Sequence, residues 1–344
     1  MTESTILAID LGGSQIRTAL VLPDARVACR IAGPTGTDGA DAILERIVAS
    51  ATATLDRARR DGLPAPHAAG VSAPGPLDPW RGIVLDPPNV PGFRNVPIVE
   101  RVAAAIGLPT FLERDTNVAI TGEWRYGAAR GARCAAYVTV STGVGGGVLL
   151  DGGLLRGADG FAGEVGHLVV ETDGPRCGCG GIGHVEAIAS GTALAREAKD
   201  LVARGGSPAL AALAAEGHPL DAALVARAAD EGDAACRTLL DRAWVAIGAM
   251  CASLANLLDP EVIVIGGSIA EHRPRLFEVA RRELARRQLP VLADRVRIEP
   301  AALGPDVSLI GLVPIVNARI GDPSYADGSS ASPSATAMQG ARTP

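Results

Sequence analysis

Apolar residues fall into two rhythms along this chain. Short β-branched runs end at glycines: ILAIDLGGSQIRTALVL (6–22) reads as strand, glycine turn, strand. AAYVTVSTGVGGGVLLDGGLLRG (135–157) repeats that plan with a Ser-Thr-Gly turn, and EVIVIGGSIA (261–270) is a third strand that breaks at two glycines into a helix. Between them, apolar positions recur at helical spacing over 41–62, 97–107, the alanine-rich run of 222–257, and RPRLFEVARRELARRQL (273–289), the last with a solvated arginine face. Strands alternating with helices predict an α/β fold, and the repeated strand–turn–strand plan predicts an internal duplication. From Gly321 the composition shifts to Ser, Ala and Pro with little to bury, so 321–344 is expected to be a disordered tail.

Composition narrows the function classes. A chain of 344 residues is natural for two domains. Its 32 basic and 38 acidic residues give a net charge of −6, without the electrostatic footprint of a nucleic-acid binder, so small-molecule partners are expected. The start, MTESTILAIDLGG, has no signal-peptide pattern, and no uncharged apolar run reaches about 18 residues, so a cytoplasmic protein without a membrane anchor is expected. In that compartment the six cysteines read as free thiols or metal ligands. Cys29, Cys134, Cys236 and Cys251 stand singly among apolar neighbours and read as inert core residues. The single lysine, Lys199, fits neither a P-loop nor the strand lysine of a protein kinase.

The glycine turns carry the candidate chemistry. Glycine after a strand lets a ligand approach the backbone and lets amides point at phosphate oxygens. Asp10 sits at a strand end beside Gly12, Gly13 and Ser14, a corner suited to Mg²⁺ and phosphate, though an ordinary hairpin in which Asp10 satisfies turn amides gives the same pattern. Thr142 with Gly143 can supply a second phosphate cradle, and Gly266 with Gly267 can accept a nucleoside. Three such corners favour a nucleotide-binding protein. CGCGGIGHVE (177–186) fits a redox pair, a metal loop or a plain loop. Cysteines at i and i+2 close a strained ring, whereas His167, Cys177, Cys179 and His184 make a four-ligand set for Zn²⁺. Asp115 follows the apolar TFL and reads either as a helix N-cap or as a base at a strand end.

DLGGS, GVSAPGPLD (70–78), ERDTN (113–117), STGVGGG, GEVGH (163–167), CGCGGIGHVEAIASG (177–191) and VIGGS, in this order and spacing, resemble the ROK family of sugar kinases and sugar-responsive repressors, over roughly residues 5–318. The resemblance implies an actin-like, hexokinase-like (ribonuclease-H-like) duplicated pair of α/β domains with a cleft between them, ATP and Mg²⁺ on one side and sugar on the other, usually as a dimer or tetramer. Residues 1–118 would form the first domain, joined by a helix around 305–320, and 119–304 the second. Asp115 matches the catalytic aspartate, and Asn89, Arg114, Glu164, His167 and Glu186 fall at sugar-contacting positions. Two residues depart from the pattern. His184 stands where the third of three cysteine ligands is usual, and Arg114 where asparagine usually precedes the aspartate, so that it can point away, reach a different hydroxyl or pair with Asp115. The repressors carry a winged helix-turn-helix ahead of the first strand, which here begins at about residue 5, so a kinase is expected. The favoured activity is an ATP-dependent glucokinase acting on the 6-hydroxyl. The alternatives are an N-acetylglucosamine, N-acetylmannosamine, fructose or cyclitol kinase, polyphosphate as donor, or a non-catalytic sugar sensor.

Overall fold

The computed structural model describes residues 4–320; the expected tail, 321–344, lies outside them. The chain divides into two compact units, one comprising residues up to Gly122, Arg156–Ala162 and the segment from Asp306 onward, the other Glu123–Leu155 and Gly163–Pro305. The first holds β1 (Ile6–Leu11), β2 (Gln15–Val21), β3 (Val27–Pro34), α1 (Ala40–Arg60), β4 (Ala69–Ala73), a short ribbon of β5 (Leu77–Asp78) and β6 (Ile83–Val84), α2 (Ile98–Ile106) and β7 (Thr110–Arg114). The boundary falls within α3 (Asp115–Tyr126). The second holds β8 (Ala135–Val140), β9 (Val144–Leu150), β10 (Gly153–Leu154), α4 (Glu186–Ala189), α5 (Gly191–Ala203), α6 (Pro208–Ala215), α7 (Ala222–Asp230), α8 (Ala234–Leu258), β11 (Val262–Gly266), α9 (Pro274–Arg287) and β12 (Arg297–Pro300). Two helices, α10 (Val307–Ile310) and α11 (Leu312–Ile320), return to the first unit.

The two sheets share one plan. In the first the order is β3-β2-β1-β4-β7, in the second β10-β9-β8-β11-β12. In each, the first two pairings are antiparallel and the last two parallel. The strand at the centre is covered on both faces, which is why ILAIDL is apolar almost throughout rather than alternating and is buried at every position. Each sheet has its own core, the first closed by Ile43, Leu44 and Ile47 of α1, the second by Trp244, Ile247 and Met250 of α8. The α8–α9 contact needs Gly248, where a Cβ would lie 2.6 Å from the Glu283 Cβ and 3.1 Å from the Ala280 Cα.

Two sequence expectations need correction. The run 222–257 is not one helix, because Gly232 takes φ +113° and Asp233 then caps α8 by accepting from the Cys236 amide at 2.8 Å. Nor does β11 pass directly into a helix. A turn carrying Gly267 at φ +95° and His272 at φ +59° separates it from α9. Cys134 is half-buried, whereas burial of Cys236 and Cys251 pushes their thiols up to about 11 and about 12, which keeps both unreactive. Among the described residues α8 is long and apolar enough to cross a membrane; its apolar face is the second unit's core, with Trp244 and Cys251 buried.

Gly311, between α10 and α11, lies so close to the Val118 carbonyl oxygen that a Cβ would overlap it. Gly311→Ala is expected to lower the stability of the first unit by about 1–3 kcal/mol or more. Urea denaturation checks this, and an unchanged midpoint would contradict the packing.

Candidate functional site

In the first unit the β1–β2 hairpin sets the glycine corner. Its antiparallel register puts Asp10 opposite Arg17, and Arg17 Nε and Nη2 donate to Asp10 Oδ2 at 2.9 and 2.6 Å. Asp10 is only 5% exposed, so its charge is neutralised inside the sheet end and does not stand free beside the turn. The turn itself is tied down from outside: Thr35 Oγ1 donates to the Gly12 carbonyl at 2.7 Å and the Thr35 amide to the Ser14 carbonyl at 3.0 Å. Gly13 lacks a side chain for a direct reason, because a Cβ there would stand 2.7 Å from the Asn89 carbonyl oxygen. Asn89, exposed, is thus brought against the turn of Gly12, Gly13 and Ser14.

The candidate base sits at a strand-to-helix junction. Asp115 is half-buried as the first residue of α3, where its Oδ1 accepts from the Thr116 amide at 2.7 Å, which orients the carboxylate. Beneath it lies a buried ionic network. Glu113, 1% exposed, accepts on Oε2 from Arg319 Nη2 (2.8 Å) and from Arg156 Nη2 and Nε (2.8 and 3.0 Å). Its Oε1 accepts from Asn117 Nδ2 (3.0 Å) and the Arg114 amide (3.1 Å). Burial alone would raise the Glu113 carboxyl, but the Arg319 and Arg156 charges outweigh it and hold the group below the usual glutamate range. Arg114 is 5% exposed, and its Nη2 donates to the Ala162 carbonyl at 2.6 Å and lies 3.4 Å from Asn117 Oδ1.

In the second unit the β8–β9 turn gathers the remaining glycine motifs. Thr142 is exposed and Gly143 partly so. On one side, Ser141 Oγ and Ser268 Oγ are 2.9 Å apart and the Ile269 amide donates to the Val140 carbonyl. Gly267 has no room for a side chain, since a Cβ would lie 2.5 Å from the same Val140 oxygen, and Gly266 is packed against the Tyr137 hydroxyl. On the other side, Glu186 Oε2 accepts from the Val144 amide at 3.0 Å. Glu186, expected as a sugar contact, also lies against the turn of residues 141–143. Glu164 is exposed at the start of a short 3₁₀ turn that carries His167, whose amide donates to the Glu164 carbonyl at 3.1 Å.

The expected metal ligands come together. One ligand atom from each of His167, Cys177, Cys179 and His184 lies within 4.8 Å of the others. Cys179 Sγ is 3.3 Å from His184 Nδ1 and Cys177 Sγ is 4.0 Å from His167 Nδ1, which brackets the edge of about 3.6 Å that zinc–sulfur and zinc–nitrogen bonds give in a tetrahedron. Gly181 lies against the His184 imidazole with no room for a Cβ. Burial pushes the Cys177 thiol up to about 11, so a cation must displace its proton to bind. Two soft and two borderline donors of this spacing fit a tetrahedral metal.

The model of the ROK family matches residues 6–319. The chain belongs to the ROK family. A glucokinase from Thermotoga maritima is 32% identical over 322 residues, which covers 93% of this chain and all of the relative. An N-acetylmannosamine kinase from Salmonella typhimurium is 34% identical over 266 residues, 77% of this chain and 83% of the relative. A crystal structure of a ROK glucokinase from Streptomyces griseus with glucose and AMPPNP superposes with a TM-score of 0.77 at 30% identity, covering 91% of this chain and 99% of that one. The actin-like α/β fold of the ROK kinases is the fold seen here.

Sequence reasoning about the ROK motifs missed Arg17, Glu113, Arg156 and Arg319. Arg17 was within reach, since a hairpin turning over 12–14 pairs residue 10 with residue 17. Arg156 and Arg319 carry no local signal, because they meet Glu113 from 43 and 206 positions away. Glu113→Gln is expected to lower stability at neutral pH by about 3–5 kcal/mol, because the guanidinium groups lose their carboxylate. A depressed folded-state pKa means the contribution is complete above the ordinary glutamate value of 4.5 and is lost as pH falls through the lower folded value. Denaturant midpoints of wild type and variant should therefore converge in acid; a constant gap between pH 7 and 3 would contradict the assignment.

Proposed function

We propose that this ROK protein is an ATP-dependent hexose kinase that transfers the γ-phosphoryl group to the 6-hydroxyl of glucose. The observation that carries the reading is Asp115, a half-buried carboxylate at the β7–α3 junction of a fold that places a glycine turn at the same position of both sheets. The carboxylate of Asp115 accepts the proton of the acceptor hydroxyl as its oxygen bonds to the γ-phosphorus. The bond from that phosphorus to the β–γ bridging oxygen breaks, and ADP leaves with the electron pair. The turn of Gly12, Gly13 and Ser14 and the turn of Thr142 and Gly143 supply amides for the phosphates, and Gly266 with Gly267 supplies the nucleoside corner. Asp10, already paired with Arg17, reaches Mg²⁺ of Mg·ATP through its other oxygen or a water. Asn89, Glu164, His167 and Glu186 serve the sugar.

His167, Cys177, Cys179 and His184 would hold a zinc ion. Bound there, the ion would supply a structural tie that fixes the loop and the His167 ring. The cytoplasm, where thiols stay reduced, suits such a site, and a homodimer or homotetramer is the assembly the family leads us to expect. An N-acetylmannosamine kinase is the second reading. It is supported by the 34% identity to the N-acetylmannosamine kinase from Salmonella typhimurium.

ADP release with Mg·ATP against glucose, mannose, fructose, N-acetylglucosamine, N-acetylmannosamine and a cyclitol is expected to show glucose turning over at roughly 1–100 per second; preference for N-acetylmannosamine would select the second reading. Asp115→Asn should lower kcat by about 10²–10⁴-fold while calorimetry still detects sugar binding, and a variant with near-normal kcat would remove Asp115 from its role. Elemental analysis should find one zinc per chain, lost in His184→Ala; metal retained by that variant would take His184 out of the ligand set.

A further inference from the structure

Away from the glycine turns and the metal donors, the second unit opens a cavity of about 450 Å³ between the end of α7, the first half of α8 and the start of α9. That size is in the range of small-molecule sites. Its floor is apolar: Trp244, Leu240 and Ala229 are all buried. Half-buried Trp124 shows how an indole N–H is normally satisfied, since it donates to the Ala132 carbonyl at 2.8 Å. The Trp244 N–H meets no acceptor among the described residues and is not sealed in the core, so it opens on the cavity. Charged side chains form the walls. Arg273 Nη1 pairs with Asp230 Oδ2 at 2.7 Å, and Arg275 Nε and Nη2 pair with Asp241 Oδ1 and Oδ2 at 3.1 and 3.0 Å. The first pair ties the turn after β11 to α7 and the second ties α9 to α8, which fixes the walls. Arg237 differs, because among the described residues it meets no carboxylate: its Nη2 donates to the Gly232 carbonyl, and its Nε lies 3.5 Å from the Asp233 carbonyl oxygen. Three guanidinium groups against two carboxylates leave the lining with one positive charge in excess. The start of α9 adds to it, since no side chain caps this 14-residue helix.

We infer that this cavity binds a small organic anion with an apolar body. The body lies on Trp244 and Leu240, the charged group meets Arg237 and the start of α9, and an acceptor atom takes the Trp244 N–H. A buried donor left unmade is costly, and an arginine that meets only neutral carbonyls keeps its charge for a ligand. A bare phosphate would leave the apolar floor uncovered, and a neutral sugar would leave Arg237 unmatched. The site stands apart from the kinase reading, since none of its residues belongs to the sugar, phosphate or metal sets. Arg273 nevertheless closes the turn that starts at the nucleoside corner: the Ala270 amide donates to the Gly267 carbonyl at 3.0 Å, and the Arg273 amide to the Ala270 carbonyl at 3.2 Å. Nucleotide competition is therefore part of the test.

The test is fluorescence titration of anilinonaphthalene sulfonate, an aromatic monoanion, into the full metal-loaded chain, with and without saturating Mg·ADP and glucose. One site per chain is expected, its affinity moved less than about twofold by Mg·ADP and glucose, below ordinary coupling between sites. The neutral phenylnaphthylamine, which lacks the sulfonate, should bind about 10–100-fold more weakly, the range lost with a hydrogen bond to a charged group. Arg237 is exposed, so Arg237→Ala leaves the fold intact and should cost the anion a similar factor. Trp244→Phe keeps an aromatic floor, removes the N–H and should weaken the anion by about 2–10-fold. In proton–nitrogen NMR spectra, of the three indole N–H signals the one absent from Trp244→Phe should shift on binding. Binding that does not saturate, equal affinity for the neutral probe, or unchanged affinity in Arg237→Ala would overturn the anion site. Displacement by Mg·ADP would assign the probe to the nucleoside corner and overturn a separate site.

Discussion

A carboxylate buried to 1% exposure is tolerable only if its charge is met on more than one side, and the first unit is organised around that requirement at Glu113. Its partners come from separated parts of the chain: Arg156 from the segment after β10, Arg319 from α11, Asn117 from the first turn of α3. Arg319 also donates to the Leu112 carbonyl at 2.5 Å, one residue before the carboxylate. The network therefore fixes the end of β7, and the end of β7 is where α3 starts and Asp115 stands. A buried ion pair is weak evidence of stability, but it enforces one register, since any slip leaves a charge unpaired in the core. Precise placement of the candidate base follows from that penalty.

The second constraint is steric. At Gly13, Gly143 and Gly267 the space a side chain would fill is taken by a specific neighbour: the Asn89 carbonyl, the Glu186 carboxylate and the Val140 carbonyl in turn. The glycines are needed for the approach of the protein to itself. Through the last two of these contacts the β8–β9 turn is joined to the end of β11 and to Glu186 within the second unit. The Ser141–Ser268 hydroxyl pair closes it from the remaining side.

Sequence pattern made the duplicated α/β plan legible because both halves repeat an apolar strand, a glycine turn and a second strand, and hydrogen-bonding geometry leaves few other ways to use them. It also made the convergence of the four candidate metal ligands legible. Cys177, Cys179 and His184 are close enough in sequence that a loop must bring them together, and His167 is only ten residues before Cys177. The helical spacing over 222–257 is realised as two helices, and the break between them is hidden by alanine-rich flanks because it depends on one glycine at positive φ and one aspartate cap.

What the sequence by itself determined is the set of short-range arrangements. These are the strands and their turns, the metal-donor spacing, and a carboxylate at a strand end, all governed by period, backbone freedom and ligand chemistry within a few residues. What only the tertiary structure decided is where charge goes. Asp10 is paired with Arg17, Glu113 with two distant arginines, Arg114 with the Ala162 carbonyl, and Glu186 with the Val144 amide. Each of these is a polar group withdrawn from water that must find its partner in whatever segment the fold carries past it, and no local rule in the chain names that segment in advance.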